Sequence, residues 1–329
     1  MPHSVVIGLS AVVVAIRDGE AVVLTVQPRG QELQGLPFGP FDPAGDRTFE
    51  LALRAFVTEQ TRFNLGYVEQ LYTFGDKGRD APLADLGAGL GGAGSEGAAR
   101  VISVGYLALA PAALDRHSAE SDWRPWVRFF PWEDWREGRP SALAPIEEAL
   151  RRWAGGDPQR LSRARLLFAM EGAMWNEERV LERYELLYEA GLAPEAARDR
   201  GERPLDPPER LRRALGEPMI SDHRRILATA LSRLRGKIRY RPVVFELLPE
   251  SFTLSALQRA VEAILGAPMH KQNFRRALER AEMVEGLGRL ETDTGGRPAE
   301  LFRFRREALR ARPATGLTTP LLRVEDAPP

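Results

Sequence analysis

The chain has 329 residues, 43% hydrophobic and 28% charged, with zero net charge and no cysteine. That length suffices for two or more domains with real cores, and the composition excludes a disordered or fibrous chain. Lack of cysteine excludes a disulfide scaffold, thiol catalysis and cysteine-bound zinc, and fits a reducing cytoplasm. His3, His117, His223 and His270 are too scattered for metal-ligand spacing, so no metal site is expected.

In chain order, residues 4–16 and 21–27 are β-rich runs joined by the turn signal Asp18-Gly19, which predicts a hairpin. The run at 5–16 is too short to span a bilayer and lacks a basic segment before it, so it reads as a buried strand. LPFG at 36–39 then leads into GPFDPAGDRTFELALRAFVTEQT at 39–61. From Phe49 the apolar residues Phe49, Ala52, Leu53 and Phe56 recur at three- and four-residue steps, which predicts an amphipathic helix. Arg54, Ala55, Thr58 and Glu59 share its other face. A Mg²⁺ site for phosphoryl chemistry needs several oxygen anions, and a face with one glutamate is a poor anchor. Taken alone, it is equally a solvated helix face.

Strands near 68–74 and 101–110 and a helix near 144–153 complete a small α/β sandwich over residues 1–155. The Gly- and Ala-rich residues 81–99 predict a mobile loop. Its GAGLGG at 87–92 neither follows a strand nor opens a helix, which excludes a Rossmann reading. Trp123, Trp126, Trp132 and Trp135 read as core packing rather than as a stacking platform.

Residues 156–222 read as a helical connector. Leu166, Leu167, Met170, Met174, Val180, Leu181, Tyr184 and Leu187 mark its apolar faces, and the Pro-, Arg- and Asp-rich residues 196–220 predict a loose linker. Residues 223–312 read as a winged helix-turn-helix. A first helix follows Ser221 or Asp222 as cap, and an extended piece covers 243–248. A second helix is capped by Thr253 and ends at Gly266-Ala-Pro268. A third helix spans 270–283, and a hairpin has its tip at 293–298. Residues 313–329 read as a disordered tail. Residues 223–312 hold 19 Lys+Arg against 10 Asp+Glu, leaving 27 against 36 elsewhere. A basic third on an acidic body suits a polyanion partner. His270, Lys271, Gln272, Asn273, Arg275 and Arg276 crowd the start of the third helix, where Asn or Gln reads adenine and Arg reads guanine in the major groove. Arg297 beside the hairpin tip suits phosphate or the minor groove.

The stretch 39–61 resembles a Nudix box in which Gly39 opens the motif, Asp46 takes the first acidic place and Arg54 stands for the box arginine. Ala55 and Thr58 occupy glutamate places, and only Glu59 remains. EQLYTFGDKGRD at 69–80, VISVGYLAL at 101–109, LRGKIRYRPVVFELLPESFTLSALQRAVEAILG at 234–266, HKQNFRRALE at 270–279 and GRPAELFRF at 296–304 resemble the Nudix-related transcriptional regulators, the NrtR family. The longer members, which regulate NAD metabolism in Alphaproteobacteria, are the most similar in organisation. The resemblance implies an α+β multidomain protein: a Nudix-like α/β sandwich, a helical connector and a C-terminal winged helix-turn-helix. It further implies a cytoplasmic homodimer that binds a double-stranded DNA operator and is released by ADP-ribose or a related NAD metabolite. The degenerate box predicts sensing without turnover and no cofactor. The alternative is an active Nudix pyrophosphatase acting on ADP-ribose or a dinucleotide, with Asp46, Glu59 and Glu50 holding a weak Mg²⁺ site. Arg54, Glu59, Arg79 and Asp80 are the expected effector-binding residues, because an arginine fork matches a diphosphate.

Overall fold

A computed structural model describes residues 5–28, 30–76, 79, 100–111, 121–203, 205–291 and 298–305. Asp80, the 81–99 stretch with GAGLGG, Arg297 at the hairpin tip and the tail from 313 lie outside the described residues.

The N-terminal part runs β1 (Val5–Arg17), β2 (Glu20–Val26), β3 (Phe38–Pro40), α1 (Phe49–Thr61), β4 (Tyr67–Phe74), β5 (Arg100–Leu109) and β6 (Ser121–Pro125). β1 and β2 form the expected hairpin, and Asp18 and Gly19 both take the positive φ (52° and 80°) that its two-residue turn requires. The sheet order is β4-β5-β1-β2-β6, with β3 also paired to β1. β1 pairs parallel to β5 on one side. Its other side is shared between β2 towards one end and β3 towards the other. Both faces of β1 are covered, which is why its sequence is apolar almost throughout rather than alternating.

The two faces bury different partners at period two. Leu9, Ala11, Val13 and Ala15 pack with Ala52, Leu53 and Val57 of α1. Val12 and Val14 point the other way, into a larger core that includes Ile226, Leu227, Ala230 and Leu231. Those four belong to a helix that the sequence assigns to the DNA-binding part.

The chain continues through α2 (Leu143–Ala154), α3 (Pro158–Leu167), α4 (Val180–Glu189), α5 (Pro194–Asp199), α6 (Glu209–Ala214) and α7 (His223–Ile238). The winged helix follows: β7 (Phe252–Thr253), α8 (Leu254–Leu265), α9 (Lys271–Ala281), β8 (Val284–Glu291) and β9 (Ala299–Phe304). The α/β sandwich, helical segment and winged helix expected from the sequence are all present. α7 packs against the N-terminal sheet, α4 and α8 at once. One continuous core therefore joins the sheet, the intervening helices and the winged helix. Each fully buried leucine or isoleucine on α7 contributes roughly 1.5–3 kcal/mol.

Residues 196–220 are not a loose linker. α5 and α6 fold there and bury Ala196, Ala197, Leu211, Ala214, Leu215, Met219 and Ile220. Arg198 of this stretch donates to the Met219 and Ser221 carbonyls, and buried Glu195 just before it accepts from the Met219 amide. The piece at 243–248 is a 3-10 turn (Val243–Leu247), not a strand; short apolar runs carry no period that separates the two. Leu166 and Met174, expected on apolar faces, are exposed: the short α3 buries Ala164 and Leu167 rather than Leu166, and Met174 lies beyond the end of that helix. Trp123, Trp126 and Trp132 are buried in the core as expected. Among the described residues no helix is long and apolar enough to cross a membrane.

Candidate functional site

The box helix is built as its sequence predicts. Thr48 caps α1 by accepting from the Leu51 amide at 3.2 Å, and Arg62 ends it in the left-handed conformation. Arg54, Ala55, Thr58 and Glu59 lie off the buried stripe. Arg54 is committed to the fold: its Nε donates to Glu50 at 3.0 Å, and its two terminal nitrogens donate to the carbonyls of Leu65 and Gly66. Asp46 accepts from the Asp42 amide at 2.8 Å, so its carboxylate shapes the loop before the helix. The Thr58 hydroxyl sits 2.9 Å from the Arg54 carbonyl and 3.2 Å from the Asn64 side chain. Glu59 is exposed. Among the described residues no group of three or more His, Cys, Asp or Glu is placed to hold a metal ion. A Mg²⁺ ion needs several convergent oxygens, so these residues do not fit one.

Arg79 does not join Arg54 and Glu59. It makes a two-pronged pair with Glu185 of α4, 3.0 Å at each prong, and lies over the Tyr188 ring at 3.5 Å. Burial works against its charge, and Glu185 more than offsets that, holding the guanidinium above its usual value. Its partners sit on the α7 face of the sheet, whereas Arg54 and Glu59 sit on α1 across it. The expected effector residues are thus divided between two faces, and Arg79 has a carboxylate where a diphosphate was expected. Sequence alone overlooked Gln60, whose side-chain amide accepts from the Phe38 amide at 3.2 Å and donates to the Phe38 carbonyl at 2.6 Å. The signal was a polar residue at the rim of the apolar stripe.

The second candidate surface is the helix-turn-helix. Thr253 caps α8 by accepting from the Ala256 amide at 3.1 Å, and Gly266 ends it at φ 67°. The turn is pinned by Glu262, which accepts from the Met269 amide at 2.8 Å, and by Gln258, which donates to the Met269 carbonyl at 2.9 Å. α9 buries Phe274, Ala277 and Leu278 on one side. Its other side presents His270, Lys271, Gln272, Arg275, Arg276 and Arg280 to solvent, with Asn273 half-buried. His270 occupies the cap position but its side chain makes no capping bond, so the first-turn amides and the cations beside them face outward together. β8 and β9 form the wing, which β7 extends to three strands. The expected base-reading residues of α9 are therefore gathered at one helix end, while Arg297 lies outside the described residues.

Residues 244–304 match the family model described as the NrtR DNA-binding winged helix domain. The chain carries an NrtR-type winged helix. A curated relative, the ADPR responsive transcriptional repressor NtrR of Acinetobacter baylyi, is 40% identical over 98 residues. That match spans 29% of this chain and 37% of the relative. The fold is similar to Shewanella oneidensis NrtR solved with a 27mer DNA, at a TM-score of 0.53 and 21% identity, covering 92% of this chain and 95% of that one. It is also similar to a MutT/nudix family protein from Enterococcus faecalis, at a TM-score of 0.50 and 15% identity over 93% and 88% of the two chains. The likeness to both solved structures is one of overall fold.

Proposed function

We propose that this chain is a DNA-binding transcriptional repressor whose Nudix-like half senses ADP-ribose or a related NAD metabolite and releases an operator on binding it. The observation that carries the reading is the outward cationic end of α9, held in a winged helix that matches the NrtR family. Its partners are a double-stranded operator, the metabolite and a second copy of the chain, with half-sites about one helical turn apart or a multiple of it. It works in the cytoplasm and needs no cofactor.

The test is a titration of DNA from upstream of the protein's own coding sequence, with and without ADP-ribose. Binding should weaken steeply with salt. Replacing Lys271, Arg275 and Arg276 together by alanine should flatten the log–log salt slope by up to roughly 0.9 for each phosphate no longer neutralised. Unchanged affinity and slope in that variant would remove α9 from the interface.

Sensing rather than hydrolysis is the reading for the box, because Asp46 and Glu50 are already engaged and, among the described residues, no group of three or more His, Cys, Asp or Glu is placed to hold a metal ion. Incubation of the full chain with ADP-ribose and Mg²⁺ is expected to release no AMP above the uncatalysed background. Metal-dependent AMP release lost in Glu59→Gln would establish the pyrophosphatase alternative instead.

A further inference from the structure

The Nudix-like part meets the start of α7 at a seam formed by residues 34–38 and 219–223. Gln34 and Met219 make a parallel bridge, and the Ile220 amide donates to the Gln34 carbonyl at 3.0 Å. Two residues on, the Leu36 amide donates to Nδ1 of His223 at 3.0 Å in a fully buried bond. The His223 ring also meets Phe38 edge-on, with ring centroids 4.9 Å apart. No slack exists between the two segments: a Cβ added at Gly35 would stand 2.6 Å from Ile220 and 2.7 Å from His223.

Each side of this seam belongs to a functional element. Phe38 begins β3, one residue before the box stretch, and its backbone is held at both polar atoms by Gln60 of the box helix α1. His223 is the first residue of α7. α7 then runs 16 residues, about 24 Å at 1.5 Å per residue, to the far side of the molecule. There Arg235 donates to the Ile264 carbonyl at 2.9 Å, in the last turn of α8. The α8–α9 turn is in turn pinned to α8 through Glu262 and Gln258. A displacement of the box helix thus has a packed, hydrogen-bonded route to the start of α9 that does not pass through residues 156–218. Burial holds His223 down to about 3, so Nδ1 stays an acceptor at working pH and the bond is not lost to protonation.

We propose that Gln60, Phe38 and His223 form a latch through which ligand binding beside the box helix is transmitted along α7 to the DNA-reading helix. The proposal rests on the sensing reading above and assigns its coupling to named residues. Coupling between two ligands is a free energy shared by both, so it is measured as a ratio of affinities. A residue that merely supports the fold shifts both affinities and leaves their ratio intact.

The experiment compares operator Kd for the full-length protein with and without saturating ADP-ribose. Wild type is expected to show a ratio on the order of 10-fold, within the usual range for allosteric coupling. Gln60→Met keeps the side chain's bulk and removes its amide; its ratio is expected to collapse to within about 2-fold of unity. Gly35→Ala wedges the seam from the opposite side and is expected to do the same, so either variant suffices if the other folds poorly. Wild-type coupling preserved in the folded variants overturns the latch and leaves the sensing reading standing. A wild-type ratio of unity overturns both.

Discussion

Glu133→Ala is expected to destabilise the protein by about 3–5 kcal/mol, read as a lowered urea midpoint. Glu133 is fully buried in the 3-10 turn Pro131–Glu133 and lies between two equally buried arginines. Arg183 of α4 approaches its carboxylate at 2.5 and 2.9 Å, and Arg235 of α7 at 2.5 Å. Burial holds Arg235 below its usual value, Glu133 opposes that, and neighbouring Arg183 adds to it. Without the carboxylate, two guanidinium groups remain out of water facing each other. Their carbonyl acceptors, Leu167 and Asn176 for Arg183, and Glu177 and Ile264 for Arg235, then carry the remaining hydrogen bonding. Replacing all three members by apolar residues of similar volume should restore most of the loss, because the penalty lies in the unpaired charge rather than in the absence of a bridge. A full-size loss that persists in the triple variant would count against this account. α4, α7 and α8 all meet at Glu133, so the sensing half and the winged helix should unfold in one transition.

Asp222→Asn is expected to change how stability depends on pH, by about 1.4 kcal/mol per unit between roughly pH 4 and 6.5. Burial lifts the Asp222 carboxyl to about 7, against the pull of Arg225 and Arg79. Its folded value exceeds its unfolded value, so the folded state holds the extra proton between about 4 and 7 and stability falls as pH rises there. His223 behaves oppositely. Burial, with Arg198 adding to it, lowers it to about 3, so the unfolded state holds the extra proton between about 3 and 6.5 and stability falls as pH drops. In the wild type these adjacent residues nearly cancel across the shared window. The asparagine variant exposes the histidine alone, and its stability relative to wild type should rise steadily with pH. Urea midpoints of both proteins at pH 4.5, 5.5 and 6.5 give that difference, in which the other titrating groups cancel. A difference that stays flat across the series would mean that Asp222 is ionised in the folded protein throughout.

Local signals carried far in this chain. The Asp18-Gly19 turn, the α1 stripe, the Thr253 cap, the Gly266 stop and the apolar and cationic sides of α9 all read correctly, because each is set within a few residues. What was hidden are the long-range pairings. Composition makes residues 196–220 look solvated, yet Arg198 within them and the buried Glu195 and Arg224 that flank them spend their polar atoms on carbonyls, an amide and each other. By sequence Arg79 suits a diphosphate because an arginine fork fits any paired oxygens, and sequence does not tell a phosphate from Glu185. α7 shows one apolar stripe to a periodicity count, but Arg224, Arg235 and His223 are buried as well. Long polar residues inside a helix look like a wet face until their partners are known.

The sharing of α7 sets a limit on how this protein can be cut or grafted. A gene truncated before residue 223 would yield a sheet stripped of its second cover, with Val12, Val14, Leu107 and Leu109 bared to solvent. A winged helix excised from residue 223 onward would carry the complementary apolar flank of Ile226 and Ala230. Neither fragment is a spare part. A recombinant sensor joined to this reading head would have to keep α7 and rebuild the surface it lies on, so the natural crossover point falls within the 3-10 segment after Pro242 rather than at the boundary that the sequence suggests.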